Sequence, residues 1–554
     1  MLCTCFTAHG VLTIIPPPNL RRPSRSSTLA SNGSILYVED PNQKYMFNCG
    51  EGFVIDTLPR GARLIYPPPP LPGLPNPREE IEHALENPID SDPLSAQLRP
   101  GMKVTIAFDD ISLPLPPMVT PDIREQIIDV LLHKLHDAGV DDIHLICAVS
   151  LHRRMTGAEL KRVLGHHIYH HFAPYRLYNH DAEDKENIVR LGETEKGEMV
   201  EVNKRAVESD LLIYVNINLV TMDGGNKSVG VGLGTYNSVR AHHTVHAMMH
   251  SESYMDPPNS ELHHSCDRQG AIVNEHMNVF HIETTLNNNT FPSVLGFLQK
   301  KEQDYTSLDW ANLYINKIST DLFPMGLNRK IFSKVFAPYE MTSIQCGATD
   351  PVHEKTLENC LKQQLVEVEG QADILIFGMP YICPYNVNSI MNPILVYCLG
   401  MGYFFNFYRG KPLIKKDGVI IFMHPLEYKF HKVHHPSYID FFDNVLTQTT
   451  DPAEIEKKYE EDFAYNEKYI DLYRNSFAYH GVHPFYMWYW GSYGMKWVKD
   501  VIAVNPKSIE AATRMGFSHS KNLNEAIEMA KGQVGPDPQI SVYHCPPIFM
   551  CDVK

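Results

Sequence analysis

Residues 223–234 run Asp223, Gly224, Gly225, Asn226, Lys227, Ser228 and on to Gly234, directly after a strand-like run at Leu211–Val215. Glycines in that place let the chain turn tightly and bring backbone N–H groups close to a phosphate or a flat ring. Lys227 adds an amine that can act as cation or nucleophile. The order is not that of a Walker loop, because the Gly-Lys-Ser/Thr run is missing. A plain glycine-rich turn with a solvated lysine is the competing reading, and spacing alone leaves both open. A second signal follows at once: His242, His243, His246 and His250. On one helix, His242, His246 and His250 would share a face at i, i+4 spacing and His243 would point elsewhere. Imidazoles that close suit nickel, zinc, copper or iron, with surface or core histidines as the alternative. His166, His167, His170 and His171 form a similar group without a supporting carboxylate or cysteine, and read as surface histidines. His431, His434 and His435 have the spacing of a membrane di-iron box, but the several spanning helices such a site needs are missing.

These residues need elements to position them. Lys103–Phe108 and Ile143–Val149 are β-branched, buried-type strands, and helical periodicity lies between them at Pro121–Ala138. Thr156 stands three residues before Glu159, the signature of a capping box at a helix start. The second half repeats the grammar, with strands expected at Asp373–Phe377, Gly418–Phe422 and Lys499–Val504. Ile390–Tyr408 reads as a buried helix, and Asp451–Arg474 as one charged surface helix. The alternation predicts an α/β chain of two domains with mixed, mainly parallel sheets flanked by helices, and ligands at the carboxyl ends of strands.

At 554 residues the chain is too long for one core. We expect a flexible tail over residues 1–35, a cofactor-binding domain over 36–288 and a C-terminal α/β domain over 289–554. The Asn-rich stretch at Leu286–Thr290 marks the passage. The proline-rich run Tyr66–Pro77 is a rigid linker into a first helix at Arg78–Glu86. A net charge of −16 without a basic stripe excludes nucleic acid as partner. No apolar stretch is long enough to span a membrane. Eleven dispersed cysteines read as reduced thiols of a cytoplasmic protein, and residues 1–15 lack the features of a signal peptide.

Several pieces, in order and in register, resemble the lactate racemase family. Its D-x-T-R-P segment matches Asp110-Ile111-Ser112-Leu113-Pro114, and its H-R-x-M-T-x-x-E segment matches His152 to Glu159. An N-H-D triplet matches Asn179-His180-Asp181, a G-G-x-K-S loop matches Gly224 to Ser228, and a histidine sixteen residues beyond the lysine is His243. The resemblance covers most of residues 85–554. It implies an active site in the cleft between two domains and a nickel-pincer nucleotide, the nickel complex of a pyridinium bisthiocarboxylate mononucleotide. In such proteins the lysine matching Lys227 is joined to the cofactor through a thioamide, and the histidine matching His243 is a nickel ligand. Asp110, Ser112, Gly224 and Gly225 would complete the cofactor site. The cofactor accepts and returns a hydride, and His152 would be the acid/base for the substrate hydroxyl.

The chain also departs from that family. The second catalytic histidine, ten residues before the lysine, is Ile217 here, and Asp223 is the nearby group that could stand in, with a loop-capping carboxylate as the plainer reading. The arginine of D-x-T-R is Leu113, and the substrate segment Y-Q-x-x-K aligns with Ile390 to Ile394. A small carboxylate thereby loses its usual partners. The expected activity is a racemase or epimerase of a secondary alcohol resembling a 2-hydroxy acid, other than lactate, loaded by cofactor biosynthesis and insertion enzymes. A stereospecific oxidoreductase with the same cofactor and a catalytically lapsed ligand-binding protein are the alternatives.

Overall fold

The computed structural model describes residues 33–113 and 115–554. All but the last residues of the expected N-terminal tail, and Pro114, lie outside them. A six-stranded sheet has the spatial order Met341–Gly347, Val279–Leu286, Leu211–Asn218, Lys103–Asp109, Asp142–Ala148, Leu177–Asn179. Every neighbour is parallel except the edge strand Met341–Gly347. The chain starts in the middle at Lys103, moves out to one side through Leu177, then returns to build the other side from Leu211. The order therefore reverses between Lys103–Asp109 and Leu211–Asn218, and helices cannot cover the crevice at the carboxyl ends of those two strands.

A seven-stranded sheet repeats the arrangement: Ile35–Tyr37, Arg63–Ile65, Ile540–Tyr543, Ala372–Gly378, Ile414–Met423, Asp500–Val504, Ser518–Ser520. It is parallel except for its edge at Ile35–Tyr37. Its order reverses between Ala372–Gly378 and Ile540–Tyr543. The two sheets do not divide the chain at residue 288. Strands at 35–37 and 63–65 belong to the second sheet, and the strand Met341–Gly347 belongs to the first.

The expected strands are present because each is an apolar, β-branched run. Ile106, Phe108, Leu145, Ile213 and Val215 are all fully buried, as a parallel sheet covered on both faces requires. Gly157–Phe172 starts with the full capping box of Thr156 and Glu159. Residues 393–404 form the expected buried helical stretch. The expected helix Asp451–Arg474 is two helices, Pro452–Ala464 and Glu467–Asn475, because Asn466 caps the second by accepting from the N–H of Lys468. It is also no mere surface addition: Glu460 is fully buried and accepts from the hydroxyls of Tyr236 and Tyr489. No helix among the described residues is long and apolar enough to cross a membrane. The nine cysteines among them are unpaired.

Candidate active site

Two aspartates end the central strand. Asp109 accepts from the N–H of Ile217 at 2.8 Å and from the Tyr214 hydroxyl at 3.3 Å, and burial pushes its carboxyl up to about 7. Asp110 accepts from the N–H of Ser112 at 2.8 Å through one oxygen. Its other oxygen lies 3.1 Å from Nδ1 of His152. The buried Arg124 donates to the carbonyls of both aspartates and is itself held by Asp122, which fixes this strand end. His152 sits in the turn after Asp142–Ala148. With Nδ1–H donated to a carboxylate, Nε2 carries the lone pair, the tautomer a general base needs.

Across the reversal, the turn after Leu211–Asn218 carries Lys227, whose Nζ donates to the carbonyl of Met222 at 2.9 Å. Gly224 and Gly225 have φ of +89° and +61°. A Cβ on Gly224 would lie 2.4 Å from both Asn218 Nδ2 and Glu283 Oε1, and one on Gly225 would lie 2.7 Å from the His353 ring. The N–H of Gly225 is turned inward and donates to Glu283 at 2.7 Å. This glycine shapes the turn instead of presenting its amide to the cleft. Glu283 is fully buried. Burial alone would raise its carboxyl, but His353 at 3.1 Å outweighs that and holds it at about 2. Asp223 has the capping geometry, accepting from the N–H groups of Leu219 and Val220 at 3.3 Å each. Burial raises its carboxyl, opposed by the charge of Lys227. Asp109, Asp110, Ser112, His152, Asp223, Gly224 and Lys227 line one cavity of about 100 Å³.

His243 is not among the residues lining this cavity, but it lies near enough for the charges of Lys227 and His152 to act on it. Its Nδ1 lies 3.1 Å from the carbonyl of Val239, so Nδ1 is the donor and Nε2 keeps its lone pair, the arrangement common in metal-bound histidines. Burial pushes its pKa down to about 3, with the charge of Lys227 acting in the same direction. It is therefore neutral at physiological pH and able to ligate. The Tyr486 and Trp490 rings lie 4.7 and 5.9 Å from it. The expected histidine face does not form. The helix Tyr236–Ala241 stops before His242, and Thr244 caps a new helix, Val245–Met249. His242 is fully buried without a hydrogen-bond partner, while the His246 and His250 rings lie 4.2 Å apart, tilted by 34°. No group of three metal-binding side chains exists among the described residues.

The roof comes from the second half of the chain, and the sequence reading missed it. Tyr385, His483 and Tyr479 surround His152 at ring distances of 5.3, 5.5 and 6.1 Å. His483 is buried and its Nδ1 pairs with the Tyr438 hydroxyl at 2.6 Å. The Tyr385 and Tyr403 hydroxyls are 3.0 Å apart. Only the clustering of tyrosine and histidine at 479–490 could have hinted at this, and it reads equally well as core. A clamp joins roof to floor. Arg153, next to His152, is bidentate to Glu159 at 2.7 and 3.0 Å and donates to the Val387 carbonyl at 3.1 Å. Asn388 donates to the same Glu159 at 2.8 Å. His180 is structural, bonded to the Gly234 carbonyl and to Asn203, and Asp181 pairs with Arg474.

Three departures noted in the sequence take physical form. Ile217 is fully buried in the core, and only its N–H reaches the site. Met391 and Ile394 are also core residues, and Asn392 caps the helix that follows, so this segment does not line the cleft. Leu113 does line it.

Residues 57–256 match the family model described as Lactate racemase N-terminal domain. A lactate racemase of Lactiplantibacillus plantarum is 30% identical over 173 residues, which is 30% of this chain and 38% of that protein. One of Thermoanaerobacterium thermosaccharolyticum is 27% identical over 167 residues, 29% of this chain and 37% of that protein. The matched stretch thus spans less than two fifths of either relative. The structure of the lactate racemase apoprotein from T. thermosaccharolyticum superposes with a TM-score of 0.59 at 17% identity, covering 92% of this chain and 100% of that one. At that identity the likeness is one of fold.

Proposed function

We propose that the chain, whose residues 57–256 match the lactate racemase N-terminal domain, is a member of that family and a racemase or epimerase of a secondary alcohol other than lactate. The observation that carries the reading is the convergence of the Asp110–His152 pair and Lys227 on one cavity at the sheet's reversal, with His243 near enough for the Lys227 charge to act on it. The residues fit the nickel-pincer nucleotide. Lys227 supplies the amine for attachment, and the Nε2 lone pair of His243, freed by the Val239 hydrogen bond, suits nickel beside softer sulfur and carbon donors. Asp110, Ser112 and Gly224 line the wall around it, and Gly225 sets the turn behind them. When bound, such a group supplies a reversible hydride acceptor for the carbinol carbon.

The protein's own part is proton transfer, orientation and exclusion of water. His152 takes the hydroxyl proton at Nε2, and Asp110 holds the ring and stabilises the imidazolium that results. Asp223, raised by burial, is the proposed second proton carrier in place of the absent histidine at 217. Tyr385, Tyr403 and Tyr479 close the cleft, which strengthens each electrostatic contact within it. Leu113 offers no guanidinium to a small carboxylate, which argues against lactate. The core position of Ile217 favours one further reading, a stereospecific oxidoreductase with a single base.

Native mass spectrometry after co-expression with the cofactor biosynthesis enzymes tests the proposal. One adduct on Lys227 and one nickel per chain support it, and an unmodified, nickel-free chain overturns it. Substrate deuterated at the carbinol carbon separates the two activities, since a racemase returns label to both enantiomers.

A further inference from the structure

We infer that a second, apolar cavity beside the active site seats the aryl or branched-alkyl arm of the hydroxy substrate. This rests on the reading above that the cleft handles a secondary alcohol. The cavity lies where the seven-stranded sheet reverses, at the carboxyl ends of Ala372–Gly378 and Ile540–Tyr543, the position at which open α/β sheets take ligands. Its interior space is about 90 Å³, on the scale of a single-ring or small branched-alkyl arm. Phe53, Phe291, Leu298, Phe332, Phe407 and Ile548 supply much of its wall, and no described residue lining it is charged. Of its polar side chains, Tyr339 lies 3.3 Å from the Thr290 hydroxyl, and Asn48 donates to the Cys545 carbonyl at 3.5 Å. A charged guest would find no counter-charge among the lining residues.

Two features join this cavity to the reacting groups. Tyr403 lines both spaces, and its hydroxyl partner Tyr385 is the ring that sits 5.3 Å from His152. Leu113 in the cleft and Pro116 in the cavity lie close together in sequence. Tyr403 is the shared wall of the two spaces, and a substituent on a carbinol held at His152 would enter the cavity past its ring. Leu113, at the position where the family resemblance places an arginine, lines the cleft side. Selection for a carboxylate has given way to selection for a hydrocarbon arm.

The test uses the full-length apoprotein and two neutral probes, 1-phenylpropan-2-ol and propan-2-ol, with affinities measured by calorimetry or ligand-observed NMR. Burying a phenyl ring predicts binding of the aryl alcohol on the order of 100-fold tighter than the simple one. Val335→Trp, which fills the cavity from a half-buried wall position, should weaken the aryl probe by about 10-fold or more and leave propan-2-ol unchanged. Leu295→Lys, on a different element, should do the same by burying a charge and covers the case in which the first variant fails to fold. Equal affinity for the two probes, or aryl binding indifferent to both substitutions, overturns the subsite. Cofactor-loaded enzyme then reads the catalytic proposal separately. If the aryl alcohol binds as predicted but its stereocentre is never exchanged, the racemase reading falls and the cavity stands as a site for a neutral aryl ligand.

Discussion

Replacing Glu159 by Gln removes one charge and almost no volume, and it tests whether the clamp beside His152 is what holds roof to floor. The Arg153 side chain is 3% exposed and its partner 12% exposed, so the guanidinium has no water to turn to. Burial raises the Glu159 carboxyl, but the hydrogen bonds and charge of Arg153 outweigh it, with help from Thr156 and Asn388, and hold it at about 2 against an ordinary 4.5. That displacement corresponds to about 3 kcal/mol favouring the folded state. Leaving a buried charge unpaired costs about 3–5 kcal/mol in comparable pairs. Urea unfolding at pH 7 should therefore place Glu159→Gln about 3 kcal/mol below the parent. The pH dependence has a fixed sign. A depressed carboxyl contributes its full stability above 4.5 and loses it as pH falls toward 2. The gap between parent and variant should shrink by roughly 1.4 kcal/mol between pH 5.5 and 3.5. A gap under about 1 kcal/mol at pH 7, or one that stays constant with pH, refutes the clamp.

Other consequences can be checked alongside. Gly224→Ala puts a methyl 2.4 Å from Asn218 and Glu283 at a φ of +89° and should cost on the order of 3 kcal/mol by thermal melting, even without cofactor. Asp110→Asn should lower kcat/KM of the loaded enzyme about 100-fold with KM nearly unchanged, because it disturbs proton transfer and not binding. His243→Ala should reduce nickel from about one to below about 0.1 per chain by metal analysis while the Lys227 adduct persists in the mass spectrum, since only the ligand is lost.

Much of the first sheet was legible because its strands are short apolar runs bounded by turn residues, and Thr156 with Glu159 announced its helix correctly. The placement of part of the floor was legible for a related reason: Asp110, His152 and the glycine turn are close in sequence to the strand ends that carry them. What escaped has a distant partner. Glu159 reads as a local cap, yet its larger role depends on Arg153 reaching the carbonyl of Val387, 234 residues away. Tyr385, Tyr403 and His483 are indistinguishable from core residues until the second sheet is folded against the first. The continuous helix expected through His242 failed because Thr244 offers its hydroxyl to the backbone, a competition that periodicity does not register.

The strand Arg63–Ile65 pairs with Ile540–Tyr543, close to the far end of the chain, and this has a consequence for biosynthesis. On the ribosome, the six strands of the first sheet are complete once residue 347 has emerged. The second sheet must wait for residue 543, and until then the strand pair at 35–37 and 63–65 lacks its neighbour in the sheet. Floor and roof should thus mature at different times. The cleft would stay open until residue 543 has emerged, and a nascent chain stalled before residue 540 should remain sensitive to protease around residues 35–65.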